Sequence, residues 1–420
     1  MKKHGMKTLW GPEWTVISVF LIAVGPLAIE GQEVRDSAGI EILVANPFSA
    51  GQHTTWTIEE VPELQIGEVD GEDPYLFMRM WDALRVPDGR IAIVEGSTFE
   101  IRIFGAEGRH EVTFGGRGDG PTEFGGPPWI SLDPSGTLVV WDPGHHRLSR
   151  YSLSGDLLDQ QPLAHLLNSL AISPFPNGRV WQVSPSGLLL FTGSASDAFP
   201  GGGLKGESRR VVLVDGIHET GVDLGTYPSG RTLWQRKGDG GLVGLPDPYA
   251  PFTAVVLGPE PFLVSVADST RWEIRSFDRE GALRRLLRST IPPASVSREI
   301  RGQEKERALN LAEEMGMSLL DAERAFDRIP VPDVLPSIGS LFWDTSGNLW
   351  VGRRVGTPLE APREYDVFDI QGHWLASVEV PESVGQIFEV GDDYVLATWQ
   401  DELEVTYLRL YLLRKPSPSF

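Results

Sequence analysis

The chain has 420 residues, including 47 glycines and 32 prolines. So many turn formers along the whole length exclude a mostly helical protein and predict many short strands joined by tight turns. A net charge of −21, from 37 basic and 58 acidic residues, argues against nucleic acid and anionic membranes as partners. The absence of cysteine excludes disulfides, thiolate zinc sites and Cys nucleophiles.

Lys2, Lys3 and Lys7 precede the apolar run 15–29, the charged-then-apolar order of a secretory signal. The run is shorter than the ~20 residues a membrane-crossing helix needs, and Gly25-Pro26 breaks its end. A signal over 1–32 is therefore expected, cleaved in preference to a retained anchor, with export to the periplasm or the extracellular space. The mature form is expected to span no membrane unless that signal stays uncleaved. Residues 33–53 read as a flexible linker and 416–420 as a tail, leaving 54–415 as one domain.

Within that domain the segment 87–108 repeats at 134–155 without a gap, offset by 47 residues. Gly89 matches Gly136, Glu95 matches Asp142, Phe104 matches Tyr151 and Gly108 matches Gly155. Asp268, Phe277 and Gly281 keep the last three spacings, and partial copies follow Gly178 and Gly347 and precede Tyr411. Each unit reads as a four-stranded antiparallel meander. A lone meander cannot bury its apolar face, so the units must pack on one another. Starts near Trp81, Trp129, Leu170, Phe252, Ser340 and Gln386 predict six blades, with 54–66 supplying the outer strand of the last. The Gly/Pro/Ser-rich stretches 196–208 and 228–251 read as loops. Residues 296–328, with Ala308, Leu309, Leu311, Ala312 and Met315 at helical spacing, predict a helix, a break at Gly316 and a second helix capped by Ser318.

The Gly-rich segment 115–124 (GGRGDGPTEF), followed by a strand, a D-x-x-G turn, an apolar strand, an acid and R-x-x-x-Y, resembles the NHL-repeat group of six-bladed β-propellers, which includes exported bacterial members. The resemblance spans roughly 54–415. It implies an all-β, six-bladed propeller of four-stranded blades, with the helical insertion between blades 4 and 5. Ser184 and Arg353 depart from the repeated acid and break any symmetric ring of carboxylates. The family is a scaffold with many uses, so the fold leaves the function open.

In a propeller the turns between second and third strands share a face with the linkers between blades. That face would collect Arg117, Asp119, Glu123, Asp142, His145, His146, Asp268 and Glu402 as candidates for partner or ligand contact. The ordinary role of the repeated acid is to accept backbone N–H groups of the following turn. The alternative is Ca²⁺ binding, with Glu95, Asp142 and Asp268 as candidate ligands, although no D-x-D-x-D run accompanies them. His145 and His146 are neighbours on an extended segment, so their side chains point apart and read as a solvated turn before a shared metal site. No catalytic residue is assigned, since there is no G-x-S-x-G elbow, P-loop or dinucleotide fingerprint. The chain therefore reads as a monomeric binding or scaffold protein, without an obligate cofactor, for a protein, peptide or glycan. The alternative is a Ca²⁺-dependent hydrolase similar to the gluconolactonase-like and paraoxonase-like six-bladed enzymes.

Overall fold

The computed structural model describes residues 32–45, 54–172, 178–194, 202–236, 241–354 and 362–416. Residues 1–31 of the expected signal 1–32, part of the following stretch, 46–53, and residues 417–420 of the expected tail 416–420 lie outside these residues. Among the described residues no helix is long and apolar enough to cross a membrane.

The chain is mostly β and is built from successive antiparallel meanders. Strands β1 (Gln32–Ser37) and β2 (Ile40–Ala45) form a hairpin, and the short β3 (Thr55–Ile58) and β4 (Leu64–Ile66) follow. The first meander is β5 (Met80–Arg85), β6 (Ile91–Glu95), β7 (Glu100–Phe104) and β8 (His110–Gly115). The second is β9 (Trp129–Leu132), β10 (Leu138–Asp142), β11 (Arg147–Tyr151) and β12 (Leu157–Pro162), trailed by the short helix α1 (Ala164–Ser169). The third comprises β13 (Gly178–Val183), β14 (Leu188–Ser194), the long β15 (Gly203–Asp215) and β16 (Thr220–Arg236), and β17 (Leu242–Pro246). A fourth runs through β18 (Thr253–Leu257), β19 (Val264–Asp268), β20 (Glu273–Phe277) and β21 (Leu283–Ser289). Helices α2 (Arg298–Glu314) and α3 (Leu319–Phe326) intervene before β22 (Ile338–Trp343), β23 (Leu349–Arg353), β24 (Glu364–Phe368) and β25 (Trp374–Glu379). Finally β26 (Ile387–Val390), β27 (Tyr394–Gln400) and β28 (Thr406–Arg414) are completed by β4, which pairs antiparallel with β28. β3 lies parallel to β25 and also touches the end of β28, joining the last two meanders into one sheet.

The tight turns follow from glycine placement. Gly89, Gly136, Gly187 and Gly347 close the first-to-second strand turns at φ between 80° and 93°, a region that costs glycine nothing. Second strands such as β6 and β10 are buried on both faces, which is why they read as unbroken apolar runs. In β6 alternate side chains serve different cores: Ala92 and Val94 pack with Ile130 and Leu138 of the second meander, whereas Ile91 and Ile93 pack with Leu396 and Leu408 of the last. Similar clusters join the second meander to the third through Trp141 and Phe191, and the third to the fourth through Leu190 and Val264. The fourth meets the fifth through Ile274 and Val351, and the fifth meets the sixth through Trp350 and Tyr411.

Four expectations change. The stretch 33–53 is not all linker, because Leu43 and Ala45 alternate into the core between the fourth and fifth meanders and β2 adds in parallel to β21. Of the loops expected at 196–208 and 228–251, residues 196–201 and 237–240 lie outside the described residues, and the described parts are largely strand: β15 and β16 extend past β14 as a long hairpin whose bulges at Glu207/Ser208 and Val211/Val212 absorb the misfit of the glycines and proline. The third meander starts at Gly178 and not near Leu170, which follows α1. Ser184 is therefore the turn residue of this unit and stands where Asp133 stands in the second. Its Oγ accepts the Leu188 N–H at 2.9 Å, as the Asp133 carboxylate accepts that of Thr137 at 3.0 Å.

The insertion forms a helical pair. Ser297 caps α2 by accepting the Ile300 N–H, Gly316 turns the chain at φ 71°, and Ser318 caps α3 by accepting that of Asp321. Ala308, Ala312, Ala322 and Phe326 pack on Leu233 of β16 and on Val243 and Leu245 of β17, so the helical pair is seated on the third meander.

Candidate functional site

The linker 115–128 lies between β8 and β9 and is held to the turn that follows β10. Its hub is Asp142, which is fully buried at the end of β10. The carboxylate accepts N–H groups from Gly125 at 3.2 Å, Gly144 at 3.0 Å and His145 at 3.2 Å. It also accepts from the His145 ring at Nδ1, 2.7 Å away, and from Arg147 Nη2 at 3.1 Å. Arg147 reaches on to the carbonyls of Glu123 and Gly120, so one buried ion pair fastens the linker to the second sheet. Gly144 is obligatory here, since a Cβ would sit 2.2 Å from the Gly125 backbone.

His145 is oriented by both carboxylates. Nδ1 faces Asp142 and Nε2 faces Asp119 Oδ1 at 3.1 Å, on a side chain fully open to solvent. The bond to Asp119 raises the imidazole pKa, burial opposes it, and the bond to Asp142 adds to the rise. A protonated ring donates to both acids; a neutral ring has a single N–H and loses one contact. We expect an NMR titration of Asp119→Asn to show His145 deprotonating at lower pH than in the parent. An unchanged midpoint would mean that the contact with Asp119 does not persist in solution. His146 adopts φ 51° and its carbonyl accepts the Leu163 N–H at 2.7 Å. Burial lowers its pKa, the opposite direction to its neighbour.

On the other side of the linker Arg117 donates to the Ser97 carbonyl at 3.1 Å and lies 4.4 Å over the Phe99 ring. Glu123 accepts the Gly120 N–H at 2.9 Å. The structure thus gathers Arg117, Asp119, Glu123, Asp142, His145 and His146 about one linker, and does not bring Asp268 or Glu402 to it. Asp268 ends β19, accepts the Thr270 N–H at 3.0 Å and lies 3.6 Å from Arg271. Glu402 is exposed in the turn after β27.

The three Ca²⁺ candidates are each engaged in a separate turn. Glu95 accepts the N–H groups of Arg79 and Ser97, each at 3.1 Å, and Asp142 and Asp268 are similarly engaged by their own turns. They lie on three different sheets, and among the described residues no group of three His, Asp or Glu side chains is placed to hold a metal.

Sequence reasoning missed Arg147 and a set of clasps between consecutive first strands. Asp82 on β5 accepts the Ile130 N–H of β9 at 3.0 Å, Gln182 on β13 accepts that of Leu257 at 2.7 Å, and Glu389 on β26 accepts that of Arg85 at 2.9 Å. Their sequence signal was a polar residue inside an apolar strand. Burial raises the Asp82 pKa to about 7 against two backbone hydrogen bonds that lower it, with nearby Glu389 adding to the rise. A folded-state pKa above the unfolded value contributes stability that is complete at low pH and is lost as pH rises from about 4 through about 7. Asp82→Asn should flatten that decline, by on the order of 2 kcal/mol after allowance for partial solvent contact. Urea midpoints of parent and variant at pH 5 and pH 8 test this; a parallel loss in both would refute it.

No protein-family model matches the chain, and no curated protein does so either. Solved structures similar to it include a candidate exported protein of Bacteroides fragilis, at 11% identity and TM-score 0.43, covering 87% of this chain and 99% of that one. Virginiamycin B lyase of Staphylococcus aureus is similar at 9% identity and TM-score 0.36, covering 80% of this chain and 96% of the lyase. A gluconolactonase of Xanthomonas campestris is similar at 13% identity and TM-score 0.33, with 81% and 88% covered.

Proposed function

We propose that the chain is an exported six-bladed β-propeller that acts as a binding scaffold, recognising a partner protein, peptide or glycan on the face formed by its linkers and second-to-third strand turns. The six-bladed reading is supported by the core clusters, each of which draws on two consecutive meanders, with the last meander returning to the first. The apolar run 15–29 supports export.

The observation that carries binding over metal-dependent hydrolysis is how the carboxylates are used. Those at strand ends accept N–H groups of their own turns, whereas Asp119 and Glu402 stand exposed beyond them. Such a face offers charge to a partner on a rigid frame. Its test is capture of envelope proteins and glycans by the parent and by the double variant Asp119→Lys/Glu402→Lys, with lactone hydrolysis assayed in parallel. Salt-sensitive capture lost in the variant is expected. Equal, salt-independent capture by both proteins, or lactone turnover, would overturn the reading.

A further inference from the structure

Two loops away from the Asp142 linker share an unusual composition. One follows β4 and carries Glu68, Val69, Asp70, Glu72 and Asp73; the other joins β27 to β28 and carries Asp401, Glu402, Leu403 and Glu404. Val69 is 56% exposed and Leu403 74%, and each is flanked on both sides by an acid. Glu68, Asp70, Glu72, Asp73, Glu402 and Glu404 are exposed too. The second loop contains no lysine or arginine, and the first has one, Arg79 at its end, which lies 4.7 Å over the Trp81 ring.

The pairing of β4 with β28 places the start of the first loop against the strand that leaves the second. Gly67 packs so closely on the second loop's outgoing strand that a Cβ would lie 3.0 Å from the Tyr407 ring and 3.3 Å from the Thr406 carbonyl. Both loops are shaped in advance. The Glu68 N–H donates to the Tyr75 carbonyl at 3.0 Å, while Asp401 accepts from the N–H groups of Leu403 and Val405, each at 2.9 Å, and from the Tyr407 hydroxyl at 3.1 Å. Nearby Arg409 is already engaged, 3.4 Å over the Trp399 ring with its Nε on Gln65.

We propose that these loops form the docking surface for a cationic, amphipathic segment of a partner protein, whose lysines or arginines meet the acids while its apolar residues cover Val69 and Leu403. This rests on the reading of the linker face as the partner face and gives its occupant a chemistry. Charge complementarity selects the occupant: seven carboxylates against one arginine in the two loops repel an acidic partner, and a small cation would make no use of the two apolar side chains. Ordered loops also lower the entropic cost of binding.

The test uses the full chain and three labelled synthetic peptides read by fluorescence anisotropy: Lys/Leu at amphipathic helical spacing, Lys/Ser of equal charge, and Glu/Leu. The Lys/Leu peptide should bind and weaken as salt rises, with Lys/Ser at least about tenfold weaker and Glu/Leu not binding. Glu402→Lys/Glu404→Lys should weaken Lys/Leu binding at least about tenfold, and Val69→Ser/Leu403→Ser severalfold, with unchanged urea midpoints because these positions are exposed. Equal binding of Lys/Leu and Lys/Ser, or indifference to both variants, would overturn the proposal. Envelope capture that is lost on Asp119→Lys alone and kept by both loop variants would also overturn it while leaving the linker-face reading intact. Failure of capture in the parent would remove both.

Discussion

Asp142→Ala is expected to lower stability by about 3–5 kcal/mol, the usual consequence of removing one partner of a buried ion pair. The carboxylate is fully buried and serves five donors, three of them backbone N–H groups from two chain segments. Without it the Arg147 guanidinium loses its anion in a setting where its side chain is only 12% exposed, and the Gly125, Gly144 and His145 amides lose their acceptor. The linker should loosen with it. A lower urea midpoint with new proteolytic cleavage between 117 and 124 is the expected pair of results. A fall of less than about 1 kcal/mol without new cleavage would mean that water replaces the acceptor freely and that the hub is not buried in solution.

Trp56→Ala should cost a similar amount, about 3–5 kcal/mol, for a different reason. The indole is 7% exposed on a strand of only four residues and meets Trp350 edge-on with centroids 6.0 Å apart. Its residue pairs with Val378 of β25, and two residues later Ile58 pairs with Leu413 of β28. One short strand therefore ties two meanders. A strand this brief is held by its packing more than by its ladder bonds, so loss of the ring should release both edges together. Hydrogen exchange should show β25 and β28 losing protection in concert along with the lower midpoint. An isolated loss confined to 55–58 would show that the two sheets hold each other without this strand.

Local chemistry was largely legible in the sequence. The β-rich fold follows from glycines at fixed spacing and from short apolar runs, because a positive-φ turn and a strand buried on both faces each impose a residue type at a fixed place. Ser318 and Gly316 mark the helical pair for the same reason, since cap and turn chemistry acts over three or four residues. The third meander was harder to align because Ser184 does with a hydroxyl what Asp133 does with a carboxylate. A Gly- and Ser-rich composition likewise concealed the long β15–β16 hairpin, whose bulges accommodate residues that usually end strands.

What lay beyond the sequence are the contacts between units. Asp142 could be read as a turn acid, but not as the acceptor for Gly125 in the preceding linker or for Arg147, which itself reaches the Glu123 carbonyl. The clasp from Asp82 to Ile130 and the contact of Gly67 with Tyr407 join positions 48 and 340 residues apart. Periodicity specifies which side of a strand faces a core and which residue can turn the chain, since these are properties of a few consecutive peptides. Which acid meets which amide on the next sheet depends on how closely and at what angle whole sheets pack, and only the tertiary structure decided that.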